Sequence, residues 1–383
     1  MNRIREVVVG RLHGGRILHA TCGTQHFRAS IGAHAAEAEI ILSPSAVRHC
    51  AVPRLHARRM TRWSLRAQAA LCQTVRRFTP PGDLTLEDTR ATSVLVLGAC
   101  GMLGNAVLRV FARSPGYKVV GTARSSASRE LLPEWVRSRV IVGVDVENFD
   151  GLARVMAQQR PQVVINCIGL VKQLAQADDP LAALPINSLL PHRLARLCEL
   201  VQARLVHIST DCVFSGARGA YTEDDTSDAV DLYGRSKLLG EVDYPHAVTL
   251  RTSIIGHELN GANGLVGWFL SQRGQVKGFR KAVFSGLPTV VLAQVIRDHV
   301  LTHPNLRGLH HVSAAAINKF ELLSLIAKVY GSTTTITPDD ALCIDRSLDS
   351  TKFRVQTSFL PDEWPELVRQ MHAFQLEAPN EQA

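Results

Sequence analysis

The chain has 383 residues, and its eight cysteines show no C-x-x-C pair and no regular spacing. This pattern argues against a zinc site or other metal centre and against a disulfide framework, and it favours a reducing, cytoplasmic location. No stretch approaches the roughly 18 uncharged apolar residues of a membrane-spanning helix, so we expect no membrane span. The net charge of +9 does not indicate a nucleic-acid partner, because residues 1–92 hold 14 Arg and 6 acidic residues, whereas the rest of the chain has 29 basic and 28 acidic residues.

Residues 1–92 differ in composition from the rest of the chain. They are rich in Arg, His and Ala, contain no Lys, and keep no regular period for long, apart from a helix predicted over 64–77. Pro80 and Pro81 mark a boundary before the regular part begins. Three interpretations stay open: a disordered or weakly structured basic extension, a targeting peptide, and an upstream stretch translated from a mis-assigned start. We predict the first and assign the segment no chemistry.

From residue 93 onward, short apolar runs alternate with stretches of helical spacing. The runs predict strands over 93–97, 118–123, 140–144, 162–165, 204–209 and 247–251, and the spacing predicts helices over 105–113, 152–159, 191–202 and 233–243. This alternation predicts the α/β fold class, with a Rossmann-type doubly wound parallel sheet over 93–255. A smaller C-terminal substrate lobe is predicted over 256–383, with helices at 265–272 and 320–330 and a strand at 310–313.

A glycine-rich turn follows the first predicted strand of this sheet. Gly98, Gly101 and Gly104 have the spacing G-x-x-G-x-x-G directly before a predicted helix. Glycines permit a tight turn and let the backbone approach a pyrophosphate, and the helix offers free N–H groups to that anion. The sequence therefore predicts that the backbone of Gly98, Gly101, Met102, Leu103 and Gly104 binds a dinucleotide.

Residues at the ends of the next two strands bear on the choice of dinucleotide. Arg124 stands where an acidic residue would bind the ribose of NAD. Because an Arg there can accommodate the 2′-phosphate of NADP, NADP(H) is the preferred cofactor and NAD(H) the alternative. Asp145, followed by Val146, ends the third strand, where it meets the adenine amino group or serves as a turn residue.

Tyr233 and Lys237 lie four residues apart, at the start of a predicted helix. One helical turn brings the ammonium of Lys237 to within about 6 Å of the phenol, so we expect its charge to lower the pKa of Tyr233. Tyr233 would then protonate a carbonyl oxygen as hydride reaches the carbon. Thr210, at the end of the fifth strand, is predicted to orient that oxygen.

Polar residues after the fourth strand and before the next helix are predicted near this pair. Asn166 and Gly169 are expected beside the nicotinamide. Asn187 either holds a water or a backbone carbonyl near Lys237, or caps the helix that follows it.

These motifs resemble those of the extended short-chain dehydrogenase/reductases, and within them the dTDP-4-dehydrorhamnose reductase group. The matching text is G-A-C-G-M-L-G, N-C-I-G, H-I-S-T-D-C-V-F-S-G, Y-T-E-D-D, Y-G-R-S-K-L-L-G-E and L-R-T-S-I-I-G. The resemblance implies a catalytic set of Thr210, Tyr233 and Lys237, and reduction of the 4-keto group of a nucleoside-diphosphate-linked deoxy sugar for polysaccharide (O-antigen or capsule) synthesis. It also implies a homodimer.

Departures from the resembling families sharpen the prediction. Dehydratases of this type carry Asp-Glu after the Thr, but here Asp211 is followed by Cys212, which argues against water elimination. Four residues are predicted to bind substrate, the last two through its diphosphate: Lys172, Asp211, Arg280 and Lys281. Two other functions stay open, an epimerase with tightly bound NAD and a non-catalytic NADP-binding regulatory subunit like that of methionine adenosyltransferase.

Overall fold

A computed structural model describes residues 7–12, 16–23, 26–33, 91–171 and 178–376. The chain divides into two units, Met1–Asp83 and Leu84–Ala383. In the first unit, three consecutive strands pair antiparallel in the order β1-β2-β3: β1 (Val7–Leu12), β2 (Arg16–Gly23) and β3 (His26–Ala33). The three strands form a regular ladder, and the disordered or weakly structured extension predicted over 1–92 stays a prediction. The helix predicted over 64–77 lies outside the described residues.

The strands of the second unit include seven that form its central sheet and several short pairs. In chain order they are β4 (Thr92–Leu97), β5 (Tyr117–Thr122), β6 (Val140–Ile141), β7 (Val163–Asn166), β8 (Arg204–Thr210), β9 (Ala247–Thr252), β10 (Ile254–Ile255), β11 (Gln275–Phe279), β12 (Ala282–Phe284), β13 (Leu287–Pro288), β14 (Gly308–His311), β15 (Ile317–Asn318), β16 (Thr335–Asp339) and β17 (Ile344–Asp345). The central sheet is parallel throughout, in the order β14-β9-β8-β7-β4-β5-β6. This confirms the predicted Rossmann-type doubly wound sheet.

The described part of the second unit contains twelve α-helices, some of which cover the two faces of this sheet. They are α1 (Met102–Ala112), α2 (Ser126–Glu130), α3 (Glu134–Arg137), α4 (Phe149–Gln159), α5 (Pro180–Ala183), α6 (Leu190–Val201), α7 (Leu232–Leu239), α8 (Leu265–Ser271), α9 (Thr289–Val295), α10 (Lys319–Tyr330), α11 (Thr351–Thr357) and α12 (Trp364–Leu376). A π-helical turn, Leu184–Leu189, joins α5 to α6. No helix in the described part of the chain combines the length and the apolar character that crossing a membrane requires.

Strand β4 shows why the apolar runs do not alternate with polar residues. Val94 and Val96 are buried in the core under α1 and α9, whereas Leu95 and Leu97 are buried in a second core under α4 and α6. Since successive side chains of a strand point to opposite faces, a strand covered on both faces needs apolar residues at every position.

The C-terminal part of the chain forms a smaller set of elements and also returns to the central sheet. Three small sheets are present: β10 with β13, β11 with β16, and β15-β12-β17. Strand β14 pairs with β9, so the strand predicted over 310–313 belongs to the central sheet and not to the C-terminal lobe. The reason is that β14 follows α9, which packs against α1 and carries the chain back to the edge of the sheet. The domain boundary at residue 255 stays a prediction.

Candidate active site

The glycine turn after β4 leaves no room for side chains. Gly98 has φ of +79°, in the left-handed region that favours glycine, and a Cβ on it would lie 2.8 Å from Ile168. A Cβ on Gly104 would lie 2.0 Å from the carbonyl oxygen of Gly98. No side chain caps α1, which begins at Met102 and continues with the buried Leu103, so its first N–H groups remain available. The turn therefore fits the pyrophosphate of a dinucleotide.

Arg124 follows β5 and Asp145 follows β6, and both lie at the surface. Arg124 is exposed at the carboxyl end of β5, and the next residue, Ser125, caps α2 by accepting a bond from Ser128 N. Asp145 is also exposed, and its carboxylate accepts a 3.0 Å bond from Glu147 N. Asp145 therefore orders the turn before the buried Val146, and its contact with the adenine and the contact of Arg124 with an NADP 2′-phosphate stay predictions.

Asn166 ends β7, and Gly169 lies in the loop that follows it. The fully buried Asn166 amide donates to His207 Nδ1 at 3.2 Å, and its oxygen accepts a 3.1 Å bond from Ile168 N. A Cβ on Gly169 would lie 3.6 Å from Asn187 Oδ1 and 3.7 Å from Lys237 Nζ. Asn166 thus orders the turn, and Gly169 keeps the space beside Lys237 open.

Asn187 lies inside the π-helical turn, so it does not act as a helix cap. Its side-chain oxygen accepts a 2.9 Å bond from Leu170 N, and its amide donates to Leu170 O at 3.1 Å and to Ser236 Oγ at 3.1 Å. Asn187 therefore ties the loop after β7 to the helix that carries Lys237, and it holds the backbone carbonyl of Leu170, one of the roles predicted for it.

Direct packing brings α7 to the end of β8. A Cβ on Gly234 would lie 2.2 Å from the backbone oxygen of Cys212, so only glycine allows the helix to approach this closely. Asp231 caps the helix by accepting a 2.7 Å bond from Gly234 N. The consequence is that Tyr233 lies close enough to Thr210, two residues before Cys212 in the chain, for the threonine hydroxyl to influence the pKa of the phenol.

Lys237 is 5% exposed and donates a 2.7 Å hydrogen bond to the backbone oxygen of Ile208. Burial lowers the pKa of its ammonium from 10.5 to about 8, against which the charge of Glu241 acts. The pKa of Tyr233 is raised, chiefly by burial and then by Cys212, while the hydroxyl of Thr210 lowers it. The expected lowering by Lys237 is not present, because the ammonium is directed to a backbone carbonyl and the loss of hydration dominates.

Thr210 connects the tyrosine to a buried carboxylate. Its hydroxyl accepts a 3.1 Å bond from Cys212 N and donates to Asp211 Oδ1 at 3.2 Å. Burial raises the pKa of Asp211, and the charges of Arg346 and Lys319 lower it. A hydroxyl has a single proton, so Thr210 must turn it away from Asp211 in order to donate to a substrate oxygen.

The other residues predicted to bind substrate are not part of this cluster. Arg280 forms an exposed ion pair with Asp340, with an Nε–Oδ1 distance of 2.8 Å. Lys281 is exposed and forms no described contact with Tyr233, Thr210 or Lys237. Lys172 lies outside the described residues. The guanidinium of Arg280 has a carboxylate partner at the surface, and the contacts of Arg280 and Lys281 with a substrate diphosphate stay predictions.

Four charged residues next to the site were not predicted. Glu241 and Arg251 form a buried ion pair with both N–O distances at 2.7 Å, and Ser209 donates to the same carboxylate at 2.7 Å. Both belong to motifs quoted above, and the four-residue spacing from Lys237 to Glu241 was the available signal. Lys319 and Arg346 approach Asp211 from the C-terminal part of the chain, and nothing in the local sequence indicates that approach.

Comparison with known families and proteins gives consistent matches. The model of the RmlD substrate binding domain matches residues 92–371. A probable low-salt glycan biosynthesis reductase of Haloferax volcanii is 31% identical over 178 residues, which cover 45% of this chain and 57% of that protein. A dTDP-4-dehydrorhamnose reductase of Mycolicibacterium smegmatis is 32% identical over 172 residues, covering 43% and 46%. The matched part thus spans about half the length of these two curated relatives.

Two further matches extend over more of the chain. The methionine adenosyltransferase 2 subunit beta of Danio rerio is 28% identical over 268 residues, covering 66% of this chain and 78% of that protein. The crystal structure of a dTDP-4-dehydrorhamnose reductase from Bacillus anthracis in complex with NADP superposes with a TM-score of 0.61 at 22% identity, covering 74% of this chain and 99% of that one. The second match establishes likeness of fold.

Proposed function

This chain belongs to the RmlD substrate binding domain family, and on that premise we propose that it is an NADP(H)-dependent reductase acting on the 4-keto group of a nucleotide-linked deoxy sugar. The observation that carries the proposal is the approach of α7 to the end of β8, which brings Tyr233 close to Thr210, together with the hydrogen bond of Lys237, on the same helix, to the Ile208 carbonyl of β8. The two reductases similar over part of the chain support the same reaction class. A role in O-antigen or capsule synthesis is the narrower part of the proposal.

Each residue of the site has a separate role in the proposed reaction. The nicotinamide supplies the hydride when bound, and the glycine turn and Arg124 are the groups that would hold its dinucleotide. Tyr233 is protonated at neutral pH and gives its phenolic proton to the oxygen of the keto group, although its raised pKa makes it a weaker acid than the sequence predicted. Thr210 orients that oxygen, and the ammonium of Lys237 adds a positive charge to the site. Asn187 ties the loop after β7 to the helix that carries Lys237.

Water elimination is disfavoured by the residue after Asp211. Burial raises the pKa of the Cys212 thiol to about 12, so the thiol remains protonated at neutral pH and cannot serve as a base. The charge of Asp211 contributes to this increase in the pKa of Cys212. A reductase needs no base at this position, and the cysteine is compatible with it.

The test is NADPH oxidation with a panel of 4-keto nucleotide sugars, followed by absorbance. We expect turnover with at least one sugar, and a loss of about 10²- to 10⁴-fold in kcat for Tyr233→Phe. Tyr244→Phe is the matched control, because the Tyr244 hydroxyl bonds His192 at 3.2 Å, away from this cluster, and should keep wild-type kcat. Equal turnover by Tyr233→Phe and wild type would refute the mechanism.

The similarity to a methionine adenosyltransferase beta subunit supports a second candidate, a non-catalytic NADP-binding regulatory subunit. It predicts NADPH binding without oxidation by any keto sugar of the panel. An epimerase would instead release NAD on denaturation of the purified protein. A homodimer and a cytoplasmic location stay predictions, to be tested by light scattering and by fractionation.

A further inference from the structure

His207 and Asn166 are a polar pair on a face of the central sheet that is otherwise apolar. They lie opposite each other on β8 and β7, and both side chains are fully buried. Two residues earlier on the same face of each strand, Leu205 and Val164 belong to the apolar core under α4 and α6. Because burial of polar groups is unfavourable unless they are hydrogen-bonded, the bonds of this pair indicate its role.

The hydrogen bonds of Asn166 determine which atom donates at each contact. The N–H of Ile168 can only donate, so the atom that it meets at 3.1 Å must be the carboxamide oxygen of Asn166. The carboxamide nitrogen therefore faces His207 Nδ1 at 3.2 Å, and Nδ1 must accept. An imidazole that accepts through Nδ1 is neutral and carries its proton on Nε2. The pKa of His207 agrees, because burial and then the charges of Lys237 and His192 lower it well below 6.5.

The bond to Asn166 is the one hydrogen bond that the His207 side chain forms within the described part of the chain. Its other ring nitrogen, Nε2, is buried and has no partner among the described residues. An apolar side chain would fill this position of the core without that unpaired donor. The acceptor at Nδ1 is therefore the feature of His207 that distinguishes it from an apolar residue here.

Ile168 connects the pair to the glycine turn. Its Cγ1 lies 2.8 Å, and its backbone nitrogen 3.5 Å, from the position that a Cβ on Gly98 would occupy. Gly98 is the first glycine of the turn and has φ of +79°. Since interiors are closely packed, a shift of Ile168 moves the backbone that is predicted to approach the pyrophosphate. The contacts thus lead from His207 through Asn166 and Ile168 to the turn.

We propose that His207 is a positioning residue for the dinucleotide: through Asn166 it fixes Ile168 against the glycine turn, and NADPH affinity depends on the acceptor at Nδ1. Without this acceptor the buried amide of Asn166 has no partner, and the backbone after β7 is no longer held in one position. His207 acts through Asn166 and takes no part in proton transfer. The inference rests on the cofactor of the proposed function and not on its reaction.

The test is a fluorescence titration of the full-length protein and its variants with NADPH. His207→Leu removes the acceptor, and we expect NADPH to bind about 10-fold more weakly. His207→Asn places an oxygen near the position of Nδ1 and should keep the affinity within about threefold of wild type. His207→Gln places its oxygen near the position of Nε2 instead, so it should bind NADPH as weakly as His207→Leu.

His310→Leu is the matched control. His310 is a buried histidine of the same sheet, on the edge strand β14, and its Nδ1 likewise has no partner among the described residues. Its replacement can change thermal stability but should leave NADPH affinity within about twofold of wild type.

A double variant separates a shared contact from two independent effects. If His207 acts through Asn166, adding His207→Leu to Asn166→Leu should weaken NADPH by less than about threefold beyond Asn166→Leu alone. Independent effects would instead multiply. In the reductase assay, the KM for NADPH of His207→Leu should rise while kcat stays near the wild-type value.

Three results would overturn the inference: His207→Leu binds NADPH as tightly as His310→Leu, His207→Asn and His207→Gln bind it equally, or the two leucine substitutions multiply. If His207→Leu does not fold, the comparison of His207→Asn with His207→Gln decides, because both keep a polar carboxamide. The titration needs no turnover. NADPH binding that depends on His207, without oxidation by any keto sugar, would refute the proposed reaction and leave this inference standing.

Discussion

The buried ammonium of Lys237 should make the stability of this protein rise with pH, and Lys237→Met should remove that rise. Lys237 is 5% exposed, and burial lowers its pKa from 10.5 to about 8. Between these two pH values the folded protein has released the proton and the unfolded chain still holds it. Because the unfolded state then binds more protons, the free energy of unfolding must increase with pH across this window.

The size of the increase follows from the two pKa values. A difference of about 2.5 between them, at about 1.36 kcal/mol for each pKa unit, corresponds to at most about 3 kcal/mol. Below pH 8 the full cost of burying the charge is present, and above pH 10.5 it is absent. Methionine also leaves the Ile208 carbonyl without its donor, but that loss is independent of pH and changes only the offset.

Urea unfolding of wild type and Lys237→Met, at pH values from about 7 to 11, measures the effect. The difference in unfolding free energy, wild type minus variant, should grow by about 3 kcal/mol over this range. Lys328→Met, which removes an exposed lysine, should give a difference that does not change with pH. A flat or falling difference for Lys237→Met would mean that the ammonium is not desolvated, and the electrostatic account of the site would be wrong.

Three further predictions concern the glycine turn, Arg124 after β5 and the buried ion pair of Glu241. Gly104→Ala places a Cβ 2.0 Å from the Gly98 carbonyl, so the turn must shift. NADPH affinity should therefore fall at least about 10-fold in a fluorescence titration, and an unchanged affinity would exclude the turn from cofactor binding. Arg124→Ser should weaken NADPH by about 10-fold or more and leave NADH unchanged, and equal losses for both would contradict a 2′-phosphate contact. Glu241→Gln leaves the buried Arg251 without its carboxylate and should cost about 3–5 kcal/mol in urea unfolding, whereas a cost below about 1 kcal/mol would refute it.

Local sequence was sufficient for the frame of the molecule. The apolar run of β4 predicts a strand covered on both faces, and the glycine spacing after it predicts a turn that only glycine can make. Both depend on interactions within about a dozen residues, where backbone sterics and side-chain periodicity decide the conformation. The position of Thr210 at the carboxyl end of β8, the edge at which ligands bind in such sheets, was also within reach.

Long-range packing determines the pKa values and the contacts of individual side chains. The spacing of Tyr233 and Lys237 predicts a lowered tyrosine pKa, yet burial by the surrounding chain outweighs the neighbouring charge and raises it. The charge of Arg280 predicts a phosphate ligand, and Asp340, sixty residues away in the chain, forms an ion pair with its guanidinium.

The order of residues thus determined the sheet, the glycine turn and the identity of the reactive side chains, because each is encoded by neighbours in the chain. Only the tertiary structure decided the protonation of Tyr233, the return of β14 to the central sheet, and the approach of Lys319 to Asp211. These three depend on hydration lost and charges gained through segments distant in sequence, and no local pattern records such contacts.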